Sequence, residues 1–295
     1  VADLNGLRYT RAGTVEEALQ LLERFGPRYM PVAGGTDLLV GLRRGWYDGI
    51  EGVVDIARVD ALRGLDAQDG QICIGSCATH AELAVHDLLR AEYPALASAS
   101  AAVGSPQIRN RGTIGGNIVG AAPCADTVPA LLVAGALVEV VAPSGTRSVS
   151  VDQFITGPYT AALQPHELTR AVVLPRLKPG GRWGYERLAR RGALDRARMS
   201  VVALAWLDDD GRIDEVRIAP GAVLPKPRRL SEAEGMLRGK TPTTALLSEA
   251  ARGSAAAVVD EAGRRWSAPY KQRVLATLVR RALEQATAAE GLPDE

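Results

Sequence analysis

Cysteine, histidine and surplus charge are all scarce in this chain of 295 residues. The three cysteines, Cys73, Cys77 and Cys124, are too few and too odd in number for a secreted disulfide framework, and they predict a reducing, cytoplasmic setting. Cys73 and Cys77 lie four apart across an expected strand end and read as buried thiols; Cys124 falls beside a glycine-rich segment. The three histidines, His80, His86 and His166, are scattered without ligand spacing, so packing or surface roles are expected, with His80 the one that could face a cofactor. Lys and Arg total 35 against 34 Asp and Glu, which gives no reason to expect nucleic acid or an anionic membrane as a partner. No apolar run approaches the ~18–20 residues that span a bilayer. Residues 1–5 lack the basic-then-apolar order of a signal peptide.

What is present is an ordinary globular composition, 46% hydrophobic and 23% charged, long enough for two or three compact units. Thr14 and Glu17 have the spacing of a capping box, and Val15, Ala18, Leu19 and Leu22 recur at helical intervals until Gly26-Pro27. Strands are expected at residues 29–33, 52–56 and 71–75, with a helical turn or two at 38–44, making a β-α-β unit followed by a second αβ region. Residues 91–103 and 126–134 read as helical, and 136–142 as a strand turning at Pro143-Ser144-Gly145-Thr146 into a hairpin. Two prolines and two glycines between 175 and 181 mark a domain boundary. Beyond it, strands at 200–207 and 212–219 are joined through Asp208-Asp209-Asp210-Gly211, too short for a calcium loop. A final helix from Ala268 carries the stripe Val274, Leu275, Leu278, Val279, Ala282 and Leu283. The basic residues Arg264, Arg265, Lys271, Arg273, Arg280 and Arg281 read as a solvated face, with docking to a partner as the minority reading. Gly235 to Thr241 is one residue short of a P-loop and reads as a helix end.

Two glycine pairs carry the chemistry. Val32-Ala33-Gly34-Gly35-Thr36-Asp37-Leu38 follows a strand; without Cβ atoms its backbone can turn tightly and present successive N–H groups to an anion such as a pyrophosphate. Asp37 would repel phosphate, so it is expected to fix the loop by accepting from nearby N–H groups. The second pair lies in residues 109–118, with Thr113, Gly115, Gly116 and Asn117. Asp126, nine residues past Asn117, could accept from ribose hydroxyls. A single glycine pair is most often a plain turn. Two, both placed after strands with hydroxyl or amide neighbours, favour a nucleotide site, though neither is a Rossmann fingerprint.

Ala33-Gly34-Gly35-Thr36-Asp37-Leu38 and Thr113-Ile114-Gly115-Gly116-Asn117 together resemble the paired FAD motifs of the medium subunit of molybdenum hydroxylases, the xanthine dehydrogenase and carbon monoxide dehydrogenase family. Residues 74–80, 107–110, 185–191, 267–271 and 278–283 extend the resemblance over nearly the whole chain. It implies an α+β chain with an FAD-binding fold of the vanillyl-alcohol oxidase and p-cresol methylhydroxylase type: subdomains at 1–57 and 58–177 and a C-terminal α+β domain at 178–295. It implies that Val32, Ala33, Gly34, Gly35, Thr36, Asp37 and Leu38 wrap the pyrophosphate, that Thr113, Gly116, Asn117 and Asp126 take the other side, and that Leu168 and Arg187 approach from later segments. The family often has Lys where Arg187 stands. A cysteine-bearing insertion, as in the 4-hydroxybenzoyl-CoA reductase type, is missing.

The implied activity is that of an FAD-dependent electron-transfer subunit, with no catalytic acid, base or nucleophile of its own. A large subunit with the molybdenum cofactor and a small subunit with [2Fe–2S] clusters are the implied partners, as a dimer of heterotrimers, with NAD among the acceptors. A backbone N–H of the Gly115-Gly116 segment is a candidate for stabilising reduced flavin. A stand-alone FAD oxidoreductase on the same fold, and a scaffold protein that has lost FAD, are the competing readings.

Overall fold

The computed structural model describes residues 6–68, 70–191, 195–263 and 267–287. The chain divides into two compact units: Val1–Val85 with Val103–Ala122 and Gly135–Arg176, and His86–Ala102 with Pro123–Ala134 and Leu177–Glu295.

The first unit contains two larger sheets. Arg8–Arg11, Gly52–Asp55 and Tyr29–Val32 form a parallel sheet with Gly52–Asp55 at its centre, and both Arg8 and Tyr29 are level with Gly52. Parallel neighbours need crossovers, supplied by helices Val15–Phe25 and Leu38–Arg43. The first helix starts where its capping box predicts: Thr14 Oγ1 accepts the Glu17 N–H at 3.1 Å. Glu17 reaches back one residue further than expected, to the Gly13 N–H at 2.6 Å. Val15, Ala18, Leu19 and Leu22 are buried against Val54 and Ile56, so the periodic face is the core face.

The other sheet is antiparallel, in the order Leu65–Gln68, Gln71–Gly75, Leu168–Leu174, Leu137–Ala142, Gly145–Ser150. The late strand Leu168–Leu174 is inserted between two earlier ones. Leu168 itself is 1% exposed and packs with Ala12, Val15 and Cys77, so its side chain belongs to the core that joins the two sheets.

The second unit is a three-stranded antiparallel meander, Arg182–Leu188, Met199–Leu207 and Ile213–Gly221. Its turn is the predicted one: Asp208 Oδ1 accepts the N–H groups of Asp210 and Arg212 at 3.0 and 2.8 Å, and Gly211 takes φ +74°. The central strand is apolar at both parities because both of its faces are covered. One face packs on Ser231–Leu237, Thr244–Glu261 and Ala268–Thr287, the other on Pro94–Ala102 and Val128–Ala134. Leu275, Leu278, Val279, Ala282 and Leu283 of the last helix are buried, as its stripe predicts, and Val274 is half-buried. Arg273 and Arg281 on that helix are exposed and Arg280 pairs with Glu284; Arg264, Arg265 and residues 1–5 lie outside the described residues. No helix among the described residues is long and apolar enough to cross a membrane.

Candidate functional site

Strands Tyr29–Val32 and Gly52–Asp55 run parallel, so the segments that leave their C-terminal ends emerge side by side, where open α/β sheets bind ligands. The first glycine loop leaves one, and Ala57 and Arg58 leave the other. Both line a cleft of about 540 Å³ within the first unit, together with Arg63, Thr79, Glu82, Asn110, Arg111 and Thr113. That volume falls in the ~300–1,000 Å³ range of small-molecule sites.

The backbone N–H groups of residues 33–38 have no acceptor among the described residues. Gly35 takes φ +70°, which bends the loop so that these groups can converge. The expectation that Asp37 ties the loop down fails: its side chain makes no cap bond, and its charge is felt instead by Tyr47, whose phenol is pushed up first by burial and then by Asp37. What fixes the loop is close packing. A Cβ on Gly34 would lie 1.9 Å from the Arg111 carbonyl oxygen, so the first loop rests directly on the approach to the second.

The second glycine pair differs from its expectation. It follows the short helix Pro106–Arg109, not a strand, and Ile114–Gly120 is itself helical, with Thr113 as N-cap. Its N–H groups are all committed: Ile114 to Ala78 O at 3.0 Å, Gly115 to Ser76 O at 2.9 Å, Gly116 to Thr113 Oγ1 at 3.1 Å and Asn117 to Thr113 O at 2.9 Å. A Cβ on Gly115 would be 2.7 Å from Ser76 O, so this glycine serves the docking of the helix on residues 76–80. The Gly115 and Gly116 N–H groups are therefore not free to stabilise a reduced flavin, as the sequence suggested. The second segment is a wall of the cleft, while the first presents donors.

Residues 76–80, which entered the sequence reading only as part of the family resemblance, brace the second segment. Thr79 bridges Thr113, and the His80 N–H donates to Gly112 O at 3.0 Å. Thr79 and Glu82 form a reciprocal capping box, with Glu82 Oε2 accepting from the Thr79 N–H and hydroxyl at 2.7 and 2.8 Å. The legible signal was Thr-x-x-Glu. Buried behind them, Ser76 Oγ and His80 Nδ1 have no hydrogen-bond partner.

His80 is 2% exposed; burial, reinforced by the charge of Arg109, lowers its pKa from 6.5 to about 4. A folded pKa below the unfolded one means that the unfolded chain binds more protons between these values, so stability is full above pH 6.5 and falls as pH drops towards 4. The shift is worth about 3 kcal/mol across that window. Replacing His80 with Leu removes this share of the acid sensitivity, read from urea unfolding at neutral pH and near pH 4.5; parallel losses in both proteins would sink the assignment.

Cys77 donates to Ile56 O at 3.5 Å, and burial pushes its thiol up to about 11, which keeps it protonated and unreactive. Among the described residues, no group of three His, Cys, Asp or Glu side chains could hold a metal ion.

Asp126 and Arg187, both in the second unit, are joined: Arg187 Nε donates to Asp126 Oδ1 at 2.8 Å, with side chains 15% and 8% exposed. Arg187 also donates to Asp195 O at 2.6 Å. One oxygen expected to be available for ribose is thus held by a guanidinium. Burial raises the Asp126 pKa, against the opposing pull of Arg187. The Tyr185 hydroxyl on the same strand is buried without a partner, and burial, then the charge of Asp126, keeps it protonated.

Comparison with known proteins gives this arrangement a context. Residues 5–177 match the FAD binding domain in molybdopterin dehydrogenase, and residues 183–286 match the CO dehydrogenase flavoprotein C-terminal domain. The chain is 32% identical over 286 residues to the xanthine dehydrogenase FAD-binding subunit of Escherichia coli O157:H7, covering 96% of this chain and 97% of that one. It is 32% identical over 289 residues to the nicotine 6-hydroxylase medium subunit of Paenarthrobacter nicotinovorans, covering 97% and 99%. A chain in the solved structure of carbon monoxide dehydrogenase from Hydrogenophaga pseudoflava, in a form lacking the Mo-pyranopterin moiety, matches with a TM-score of 0.87 at 31% identity, over 95% of this chain and 96% of that one. The chain belongs to the family of FAD-binding medium subunits of molybdopterin dehydrogenases, the xanthine and carbon monoxide dehydrogenase type.

Proposed function

We propose that the chain takes electrons from the [2Fe–2S] clusters of a small partner subunit and passes them to an external acceptor, NAD being one candidate. Substrate is oxidised at molybdenum in a large partner, within a dimer of heterotrimers. The observation that carries this reading is the contrast between the two glycine segments that meet at the cleft: a run of uncommitted N–H groups that enters it at Ala33 and Gly34, and a second segment, reaching it through Asn110, Arg111 and Thr113, whose own N–H groups at 114–117 are all bonded. Those features fit FAD, which when bound supplies the one- and two-electron chemistry that side chains lack. Residues 32–38 hold its pyrophosphate, and Thr113, Gly116 and Asn117 bound the site on the second segment. The proposed domain limits remain 1–57, 58–177 and 178–295. The family matches change over between 177 and 183, although 86–102 and 123–134 pack with the C-terminal part.

The native assembly, purified with its partners, should show flavin absorption together with iron and molybdenum in three polypeptides. Flavin alone, with substrate turnover by this chain, would favour a stand-alone oxidoreductase. Gly116 is the cleaner residue for testing the site, because Gly35 at φ +70° would be strained by any side chain. Gly116 is exposed, and a Cβ there meets only Thr113 Oγ1 at 3.1 Å. Gly116→Val is expected to weaken FAD binding by about tenfold, ~1.4 kcal/mol, while the unfolding midpoint stays near that of the parent. Full occupancy at parent affinity would show that the wall lies elsewhere.

A further inference from the structure

Three guanidiniums in the cleft have no assigned work. Arg58, Arg63 and Arg111 line it, and none of them bonds to any group among the described residues. Some arginines elsewhere in the chain are paired, Arg147 with Glu167, Arg187 with Asp126 and Arg229 with Glu234, and others are solvated singly; these three share one cleft. They are also mounted rigidly. Arg58 and Arg63 flank a tight turn closed by Leu62 N–H to Val59 O at 2.9 Å and Arg63 N–H to Asp60 O at 3.0 Å. That turn is bolted to the neighbouring strand end by Cys77 N–H to Leu62 O at 2.7 Å and Gly75 N–H to Gly64 O at 3.0 Å. The approach is so close that a Cβ on Gly75 would lie 2.5 Å from Leu62 O. Arg111 is held by its own carbonyl, on which Gly34 rests. Fixed backbones with unpaired planar forks are the arrangement that recognises phosphate bidentately.

We propose that Arg58, Arg63 and Arg111 form a cationic clamp on the diphosphate bridge of the dinucleotide, in the cleft they share with the start of the first glycine loop, Ala33 and Gly34. The clamp rests on the reading of this cleft as the FAD site. The acidic residues present do not fully cancel it: Asp60 and Glu82 also line the cleft, and three guanidiniums against two carboxylates leave one positive charge. A diphosphate bridge is common to FAD and to a pyridine dinucleotide acceptor. The first source is favoured because the cleft is walled by both glycine segments that the family match covers.

The test uses the assembled protein, stripped of flavin and titrated with FAD, ADP, riboflavin and NADH, in the parent and in Arg58→Met, Arg63→Met and Arg111→Met. Each substitution keeps the apolar stem and removes the fork. Each is expected to weaken FAD and ADP by about tenfold and to flatten the salt dependence of binding, leaving riboflavin, which has no phosphate, within twofold. Lys at the same positions should recover part of the loss. Equal loss for riboflavin would mark a structural role and overturn the clamp, as would unchanged FAD and ADP binding. Loss of NADH binding with FAD intact would assign the arginines to the acceptor and overturn it too. If Gly116→Val weakens FAD while the arginine variants do not, the site stands and the clamp fails; if neither does, the site itself is misplaced.

Discussion

Gly34→Ala is expected to empty the proposed cofactor cleft and destabilise the first unit together, from the addition of one methyl group. The new Cβ would lie 1.9 Å from the Arg111 carbonyl oxygen, 2.5 Å from its carbon and 3.0 Å from the Gly112 nitrogen. All three are backbone atoms, so no rotamer change relieves the overlap. The first loop and residues 111–112 must separate by more than an ångström, and each is anchored. Gly112 O holds the His80 N–H, and Val32 O accepts the Ile56 N–H at 3.0 Å. Overpacking of this kind costs about 3 kcal/mol, at the upper end of its usual range because backbone yields less than side chain. For a unit of this size that corresponds to a fall of about 6–12 °C in the unfolding midpoint. The separation also turns the free N–H groups of residues 33–38 away from the opposite wall, so flavin content per chain should fall below a tenth of the parent's. Gly120→Ala is the matched control, since a Cβ there meets nothing within 4 Å and its φ is ordinary. It should change neither measurement. If Gly34→Ala kept full flavin and its midpoint, the two segments would not touch.

How far the sequence alone reached depends on whether local or distant contacts decide each element. Helix Val15–Phe25 was legible because its cap, its apolar stripe and its stop lie within a dozen residues and agree. The turn at Asp208–Gly211 was legible for the same reason. Strand Arg8–Arg11 was not, because an exposed edge strand reading Arg-Tyr-Thr-Arg carries no apolar alternation. The second glycine segment was misread because glycine disfavours helix by ~1 kcal/mol each. Contacts far away in sequence reverse that preference: Gly115 can lie against Ser76 only because it has no side chain, and Thr113 supplies the cap. The segments 86–102 and 123–134 join the second unit through packing on a sheet that begins at Arg182, which no local pattern announces. At the candidate site, the glycines drew attention because they are compositionally conspicuous. The arginines that share the cleft did not, because isolated arginines are common. Only the topology, which brings the end of Gly52–Asp55 beside the end of Tyr29–Val32, places Arg58 next to Gly34.

Arg187→Met is expected to cost about 3–5 kcal/mol, because it leaves the Asp126 carboxylate buried without its counter-charge. The carboxylate is 8% exposed and its bond to Arg187 Nε is 2.8 Å long, so little water is present to replace the guanidinium. Asp126→Leu should cost a similar amount for the converse reason, since Arg187 would then retain only Asp195 O. The double variant should be more stable than either single one, because no uncompensated charge remains; the coupling that the cycle isolates then exceeds either single loss, about 3 kcal/mol or more. The pH dependence has a definite sign. Burial already raises the pKa of Asp126 above its ordinary value, and removing Arg187 takes away the main force lowering it, so it rises further. A carboxyl whose folded pKa lies above its unfolded one stabilises the fold as it takes up a proton, so the penalty in Arg187→Met should shrink as pH falls. Arg187→Lys keeps the charge but offers a point donor in place of a fork, and should fall between parent and Met. Urea unfolding of the parent and the four variants at two pH values reads all of this. Additive single losses, or a penalty that grows on acidification, would show that the pair is solvated and that Arg187 is held by the Asp195 carbonyl alone.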